Sequence, residues 1–413
     1  MTSYKDLLDA ALRGLPRLSA PPDGCCRAPS GRTCTLCNAS LYDEDTERRA
    51  KQTAVHEFWR ERIGTTALQP LGAASPGRAY RSISKRKLFV RGREILLGLI
   101  DPAEERTGGI LPVNGCAIEP ASHQEVYRRV REATSSRALI PLFDALRYVI
   151  VRGDERQTLV ILSVTDAQPS LVKSANALSK LLTGAPSTVR GVYLHEDESD
   201  GRYYLGSGDP AGRVSLRKLY GLQGLTHDVA GKRFFYPPPS FSQVNHGALE
   251  LLTGTVATLL KPEKSATLLD LYCGYGLFGL ALAGTCKQVI GADISPESIS
   301  AAQDNAQRQK AGNARFIRST LDEAAVESLL RRTTPPLYAI LDPPRGGTAA
   351  GVIPLIAGFG PVRVVHLFCN VERMPDELKA WEQGGYSVET AVPLDMFPGT
   401  AAVEIVASLT RRP

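Results

Sequence analysis

From the proline run YPPPS onward, short apolar runs alternate with stretches whose apolar residues recur every three or four positions. The runs LLDLY (268–272), QVIGAD (288–293), ARFIR (314–318), LYAILD (337–342) and VRVVHLF (362–368) read as strands, with helices between them. Regular alternation of this kind predicts a parallel sheet with helices on both faces. Two more strand-like runs, around YSVETAVPL and AAVEIVASL, close the chain. Upstream the pattern is mixed. LFVRGREILLGLI reads as a hairpin turning at Arg91-Gly92, HQEVYRRVREAT as a helix and YVIVRGDERQTLVILSV as a second hairpin. A helix near Leu171 to Leu182 and a strand at VRGVYLHE follow. Two helical patterns occupy the first 66 or so residues, and LGAASPGR (71–78) reads as a linker. The expected division is an N-terminal segment (1–75), a central α+β domain (76–236) and a C-terminal α/β domain of Rossmann-like build (237–413).

In a parallel sheet of this type, ligands bind beyond the carboxyl ends of the strands. Four of the strands end in reactive or ligand-binding residues. The first runs into Tyr272-Cys273-Gly274-Tyr275-Gly276, the second ends at Asp293, the fourth at Asp342-Pro343-Pro344-Arg345, and the fifth at Cys369-Asn370. Gly274 and Gly276 allow a tight turn and close approach to a ligand, and Asp293 stands near the spacing at which a carboxylate takes ribose hydroxyls. A nucleoside cofactor is therefore expected. Gly279 completes a G-x-G-x-x-G count, so spacing alone leaves a dinucleotide open. The stiff, donor-free Pro343-Pro344 exit instead suits a methyl-transfer cleft.

DLYCGYGLFG (270–279), DPPRGG (342–347), FCN (368–370), DMFPGTAAVE (395–404) and the upstream SFSQVN (240–245) together resemble the ordered motifs of the RNA uracil-C5 methyltransferases. The resemblance implies a class I methyltransferase fold for 237–413 and S-adenosylmethionine as methyl donor. It implies that Cys369 is the nucleophile, adding to C6 of uracil so that C5 becomes reactive, and that Glu404 is the base removing the C5 proton. Gln243, Tyr272, Gly274, Gly276, Asp293 and Asp342 fall on positions that hold the cofactor. Glu404 stands inside an apolar run, where a carboxylate is costly without a role, and burial would raise its pKa. Phe368, Gly399 and Ala402 depart from the pattern, which carries a small serine at the first position and histidines at the others.

Of eight cysteines, four crowd one short segment: Cys25, Cys26, Cys34 and Cys37. A C-x2-C knuckle converges on a soft metal, three thiolates need a fourth, and Cys116 is available. Spacing does not separate zinc from iron–sulfur. Resemblance to the members of the family that act on 23S rRNA implies a [4Fe–4S] cluster on Cys26, Cys34, Cys37 and Cys116, joining the N-terminal segment to the central domain.

The formal charge of +6 permits a polyanionic partner without requiring one. Arg78, Arg81, Lys85, Arg86, Lys87, Arg91 and Arg93, with Tyr80 and Phe89 among them, form a basic stretch suited to RNA. Only 24 residues precede Cys25, too few for an RNA-binding barrel, which favours a uridine of 23S rRNA over tRNA. The uridine must be in a loop or able to flip out of its stack. The alternatives are the same chemistry on tRNA and a non-catalytic RNA-binding or assembly protein. With no apolar run of membrane-spanning length and no signal-peptide pattern, a cytoplasmic protein without membrane contact is expected. Nothing in the sequence points to a protein partner.

Overall fold

The computed structural model describes residues 2–22, 34, 36–64, 68–74, 76–91, 94–100, 110–197, 205 and 214–412. The N-terminal segment forms α1 (Tyr4–Leu12), closed by a Ser3/Asp6 capping box, and α2 (Glu44–Arg62). In α2 Asp43 caps the amide of Thr46, acids fill the first turn and arginines the last, all in the sense of the helix dipole. These helices lie on the C-terminal sheet. Leu8, Phe58 and Trp59 share one core with Leu341, Phe368 and Trp381.

The central sheet is built from β2 (Ile83–Arg91), β3 (Glu94–Ile100), β4 (Ile110–Pro112), β5 (Leu146–Gly153), β6 (Thr158–Val164), β7 (Val189–Glu196) and β8 (Leu216–Gly221), in the order β4-β3-β2-β5-β6-β7-β8. β6 and β7 pair parallel and the rest antiparallel. Helices α3 (Ala121–Ala133), α4 (Ile140–Ala145) and α5 (Pro169–Thr183) cover it, and the hairpin of β9 (Leu225–Val229) and β10 (Lys232–Tyr236) follows. Both expected hairpins are present. The first two strands pair Arg91 with Glu94, the turn between them lying outside the described residues.

The C-terminal sheet carries β11 (Thr267–Leu271), β12 (Gln288–Asp293), β13 (Ala314–Arg318), β14 (Leu337–Leu341), β15 (Arg363–Phe368), β16 (Tyr386–Asp395) and β17 (Glu404–Arg411). Its helices are α6 (Leu249–Leu260), α7 (Leu277–Leu282), α8 (Pro296–Arg308), α9 (Glu323–Leu330), α10 (Val352–Phe359) and α11 (Met374–Gln383). Neighbouring strand residues bury into opposite faces. Leu268, Ile340 and Val365 meet α6, α7 and α8, while Leu269, Leu341 and Val364 meet α9, α10, α11 and the N-terminal helices. Burial on both sides explains the unbroken apolar runs.

Two expectations need correction. The five alternating strands pair parallel as expected, but the whole sheet is mixed: β17 lies antiparallel between β15 and β16, because the last two strands form a hairpin and hairpins pair antiparallel. The expected linker is part of the sheet, since Gly72–Ala73 forms β1, parallel to β16 at the edge. A Cβ at Gly72 would stand 2.8 Å from Leu394 Cδ2, so a small residue there marks close packing.

Candidate active site

Parallel pairing aligns the strand ends. Leu271 pairs with Ala292 and Leu341, and Leu341 with His366, so the residues that follow them emerge along one edge. The turn after β11 passes through three left-handed positions, Tyr272 (φ +63°), Gly274 (φ +54°) and Gly276 (φ +86°). A tyrosine is rare in that region, and strain of this kind gathers at functional turns. Asp293 holds the turn, Oδ2 accepting from Gly274 N at 2.9 Å and Oδ1 from Ser295 N at 2.8 Å.

Asp342 follows β14, Cys369 follows β15 and Glu404 opens β17. Phe368 pairs with Ile405, which sets the thiol and the Glu404 carboxyl at adjoining strand ends. Glu404 is 1 % exposed, and neither of its oxygens has a hydrogen-bond partner among the described residues. Burial, then the Asp342 charge, pushes its pKa up to about 8. Burial and the Asp293 charge raise Asp342 to about 7. Burial raises Asp293 above the usual carboxylate range despite its amide donors. Burial, followed by the charges of Glu404 and Asp342, pushes the Cys369 thiol up to about 12, with Arg345 acting in the opposite sense.

A fourth carboxylate completes the group. Asp270 is fully buried, its Oδ2 accepting from Gly279 N at 2.8 Å and its Oδ1 unpartnered. Burial, with Asp342 and Asp293 adding, raises it to about 7. Asp270 is not among the expected site residues; its signal in the sequence is an acid inside the apolar run LLDLY. Among the described residues no cationic side chain is a main influence on these four acids. Buried acids held above the usual carboxylate range ionise more readily beside a cation, and a sulfonium with an α-ammonium group is one.

Asn370 also lies at this edge. Its Nδ2 donates to Arg345 O at 3.1 Å, and Cys369 Sγ lies 3.8 Å from Pro343 O. Cysteine and asparagine end the strand where they fasten the Pro343-Pro344-Arg345 loop over it. Gln243 stands in the loop before α6, buried, its carbonyl accepting from Ser82 Oγ at 3.4 Å.

The family model described as tRNA (uracil-5-)-methyltransferase matches residues 213–412. An uncharacterized RNA methyltransferase of Clostridium tetani is 33 % identical over 340 residues, 78 % of this chain and 69 % of that one. The chain belongs to this family of RNA uracil-5 methyltransferases. Another uncharacterized RNA methyltransferase, from Halalkalibacterium halodurans, is 26 % identical over 96 % of this chain and 86 % of its own. The Pyrococcus abyssi tRNA (uracil-54, C5)-methyltransferase in complex with S-adenosyl-L-homocysteine shares the fold, with a TM-score of 0.67 at 20 % identity over 92 % of this chain and 87 % of that one. Membership makes the chain an S-adenosylmethionine-dependent RNA methyltransferase.

Two departures from the family pattern have structural reasons. Gly399 (φ +83°) donates to Glu47 Oε2 at 2.9 Å and accepts from Asn38 N at 2.7 Å. A Cβ there would meet Ala39 Cβ and Ile118 Cγ2, each at 2.8 Å, so residues of the N-terminal segment and of the stretch before α3 together occupy the space of a side chain. Phe368 stacks on His366 at 4.1 Å, and the Trp381 indole donates to His366 Nδ1 at 3.1 Å.

Cys34, Cys37 and Cys116 gather in one apolar cluster with Ala39, Tyr80 and Ile118. Cys26, the fourth expected ligand, lies outside the described residues. Among the described residues, no group of three or more His, Cys, Asp or Glu is arranged to hold a metal ion. Three of the four expected ligands, Cys34, Cys37 and Cys116, therefore lie together among the described residues.

The basic stretch is only partly available to RNA. Arg86 is 2 % exposed and paired with Glu119 at 2.7 Å, and Tyr80 is buried, donating to Pro398 O at 2.8 Å. Strand alternation in β2 turns Ser84, Arg86 and Leu88 inward, leaving Lys85, Lys87 and Phe89 on the more open face. Arg78 is tied to Tyr42 O at 3.1 Å, and the side chains of Arg91 and Arg93 lie outside the described residues. Among the described residues no helix is long and apolar enough to cross a membrane.

Proposed function

We propose that this protein methylates C5 of a uridine in 23S rRNA through a covalent bond between Cys369 and C6 of the base. The observation that carries the reading is a thiol and an unpartnered, buried carboxyl, Cys369 and Glu404, at adjoining strand ends within one acidic group. S-adenosylmethionine supplies the methyl group, held by Gln243, Tyr272, Gly274, Gly276, Asp293 and Asp342. Addition of the Cys369 sulfur to C6 pushes electrons to the C4 carbonyl and makes C5 nucleophilic. Once C5 is methylated, Glu404 takes the C5 proton, and the returning electron pair expels the thiolate.

The acidic group controls when the thiol reacts. Without a cation there, burial and then the charges of Glu404 and Asp342 hold Cys369 protonated. A cation seated among them offsets the charges of Glu404 and Asp342, and the thiolate becomes accessible. Lone Cys369 is thereby kept from side reactions until a donor is bound.

Residues 76–236 are the proposed RNA-binding domain, and Cys26, Cys34, Cys37 and Cys116 the proposed ligands of a [4Fe–4S] cluster with a structural role. Iron and sulfide analysis of anaerobically purified protein tests the cluster; one zinc and no iron would contradict it. Mapping 5-methyluridine in rRNA and tRNA from cells lacking the protein tests the substrate. Loss of one or more 23S rRNA sites is expected, and loss confined to tRNA would move the assignment there.

A further inference from the structure

Three side chains from the end of β15 and the start of α11 grip the backbone of one loop. Asn370 Nδ2 donates to Arg345 O at 3.1 Å, Arg373 Nη2 donates to Gly346 O at 2.9 Å, and Glu377 Oε1 accepts from Thr348 N at 2.5 Å. The loop is the one that leaves β14 at Asp342. Arg373 is exposed, whereas Glu377 is buried. An acid in the first turn of α11 suits the helix dipole wherever its oxygens point. Here Oε1 is committed to another element. Gly347 (φ +82°) leaves it room, since a Cβ there would stand 2.8 Å from that oxygen.

The other oxygen of Glu377 faces β15. An indole N–H can only donate, so His366 Nδ1 accepts from Trp381 Nε1 at 3.1 Å. Burial depresses His366 to about 3, so the ring is neutral and its one proton sits on Nε2. That buried N–H has no hydrogen-bond partner among the described residues, and Glu377 Oε2 lies 3.7 Å from it. The distance exceeds a hydrogen bond, but the carboxylate still attracts the N–H dipole where no water screens them. One buried carboxylate thus meets an N–H of the loop after β14 on one side and an N–H of β15 on the other. Burying a carboxylate is costly, and such donors offset the cost.

The two elements joined in this way carry the groups assigned to the reaction. His366 stands three positions before Cys369 and pairs with Leu341, the neighbour of Asp342. Cys369 Sγ lies 3.8 Å from Pro343 O, at the near end of the loop. At the far end the Tyr272 hydroxyl bonds to the Ala349 backbone. The loop therefore runs from the nucleophile to the donor side of the site, and Glu377 holds its middle. Glu377 itself bonds to the loop and faces the strand, so any influence on the chemistry passes through them.

We propose that Glu377, aided by Arg373, is a positioning residue for methyl transfer: it fixes the loop from Asp342 to Ala349 against β15 and so sets the donor pocket in register with Cys369. The proposal rests on the reading above for the roles of Cys369, Asp342 and Tyr272. Its test compares the wild type with Glu377→Ala, Glu377→Gln and Arg373→Ala, using labelled S-adenosylmethionine with in vitro transcribed 23S rRNA and tRNA. Misplacement by about 1 Å can cost on the order of a hundredfold in rate. Glu377→Ala should therefore lower kcat roughly ten- to a hundredfold while the KM for RNA stays as in the wild type. Glu377→Gln keeps an acceptor for Thr348 N and should restore most of the lost kcat. Arg373→Ala should lower kcat in the same sense and by a smaller factor. A folded Glu377→Ala with wild-type kcat, or with a raised RNA KM alone, overturns the proposal and leaves the methyltransferase reading standing. So does a loss of kcat that Glu377→Gln shares in full. Should Glu377→Ala fail to fold, an unchanged kcat or a raised KM alone in Arg373→Ala overturns it instead. A wild type that methylates neither RNA overturns both.

Discussion

Cys369 and Glu404 stand at the ends of adjoining antiparallel strands, and the Glu404 charge is, after burial, the largest influence keeping the Cys369 thiol protonated. The base and the nucleophile of the proposed reaction therefore oppose each other in the free enzyme. Glu404→Gln should lose methyl transfer yet speed alkylation of Cys369 by iodoacetamide at pH 8, read by peptide mass spectrometry. A cationic, non-transferring analogue of S-adenosylmethionine should shift the thiol pKa in the same direction, provided that it leaves the sulfur open to the reagent. Alkylation that slows in Glu404→Gln would contradict this electrostatic account.

The pH dependence of turnover follows from the raised pKa of Glu404. The base works only when ionised, so kcat/KM should rise with pH through about 8, the value for the free enzyme. Because Glu404 and Asp342 influence each other, the limb belongs to the pair. In the donor complex a nearby cation favours the carboxylate, and the kcat limb should lie at lower pH. A profile flat from pH 6 to 9 for both parameters would refute the assignment of Glu404.

Asp270 tests the acidic group through stability. Its folded-state pKa of about 7 lies above an unfolded value near 4, so stability from the protonated form is complete below about pH 4 and is lost as pH rises to about 7. Asp270→Asn keeps an acceptor for Gly279 and removes the charge. Thermal melts of the ligand-free protein should show the variant more stable than wild type at pH 8, with the difference vanishing near pH 4.

Lys51 anchors the N-terminal segment to the strand that leads into the loop before Glu404. Its Nζ is fully buried, 2.7 Å from Asp395 Oδ1, 3.0 Å from Phe397 O and 3.8 Å from Glu47 Oε1. Lys51→Ala would leave buried Asp395 without its cation and Glu47 with Arg78 alone. Chemical denaturation should show a loss of about 3–5 kcal/mol, the usual cost of removing one partner of a buried pair. A change under about 1 kcal/mol would mean that the loop is held by other contacts.

The strands were legible because burial on both faces of a parallel sheet leaves continuous apolar runs. QVIGAD and ARFIR coincide with β12 and β13 to the residue. That four strand ends would share one edge followed from the alternation of strand and helix, and the pairing of Leu271 with Ala292 and Leu341 realises it. Glu404 followed from the family resemblance, whereas Asp270 was missed although it too is an acid inside an apolar strand.

Elsewhere the sequence misled, for identifiable reasons. Arg86 belongs by composition to a basic surface, but it sits on the inward side of β2, and its partner Glu119 is 33 positions away. No local pattern announces a buried ion pair formed at such a distance. Small residues mark flexible linkers and tight packing alike, and at Gly72 the second applies. The docking of α1 and α2 on the C-terminal sheet depends on contacts across more than 300 positions, such as Tyr4 N donating to Glu372 Oε1 at 2.6 Å.

The central claim is that the Cys369 sulfur bonds to C6 of a uracil ring. Incubation with S-adenosylmethionine and an RNA substrate carrying 5-fluorouridine tests it directly, because fluorine cannot leave as a proton does and the methylated adduct is trapped. Denaturing electrophoresis and mass spectrometry should show an equimolar protein–RNA adduct at Cys369, absent from Cys369→Ala. Full methyl transfer by Cys369→Ala, or an adduct at another cysteine, would contradict the account.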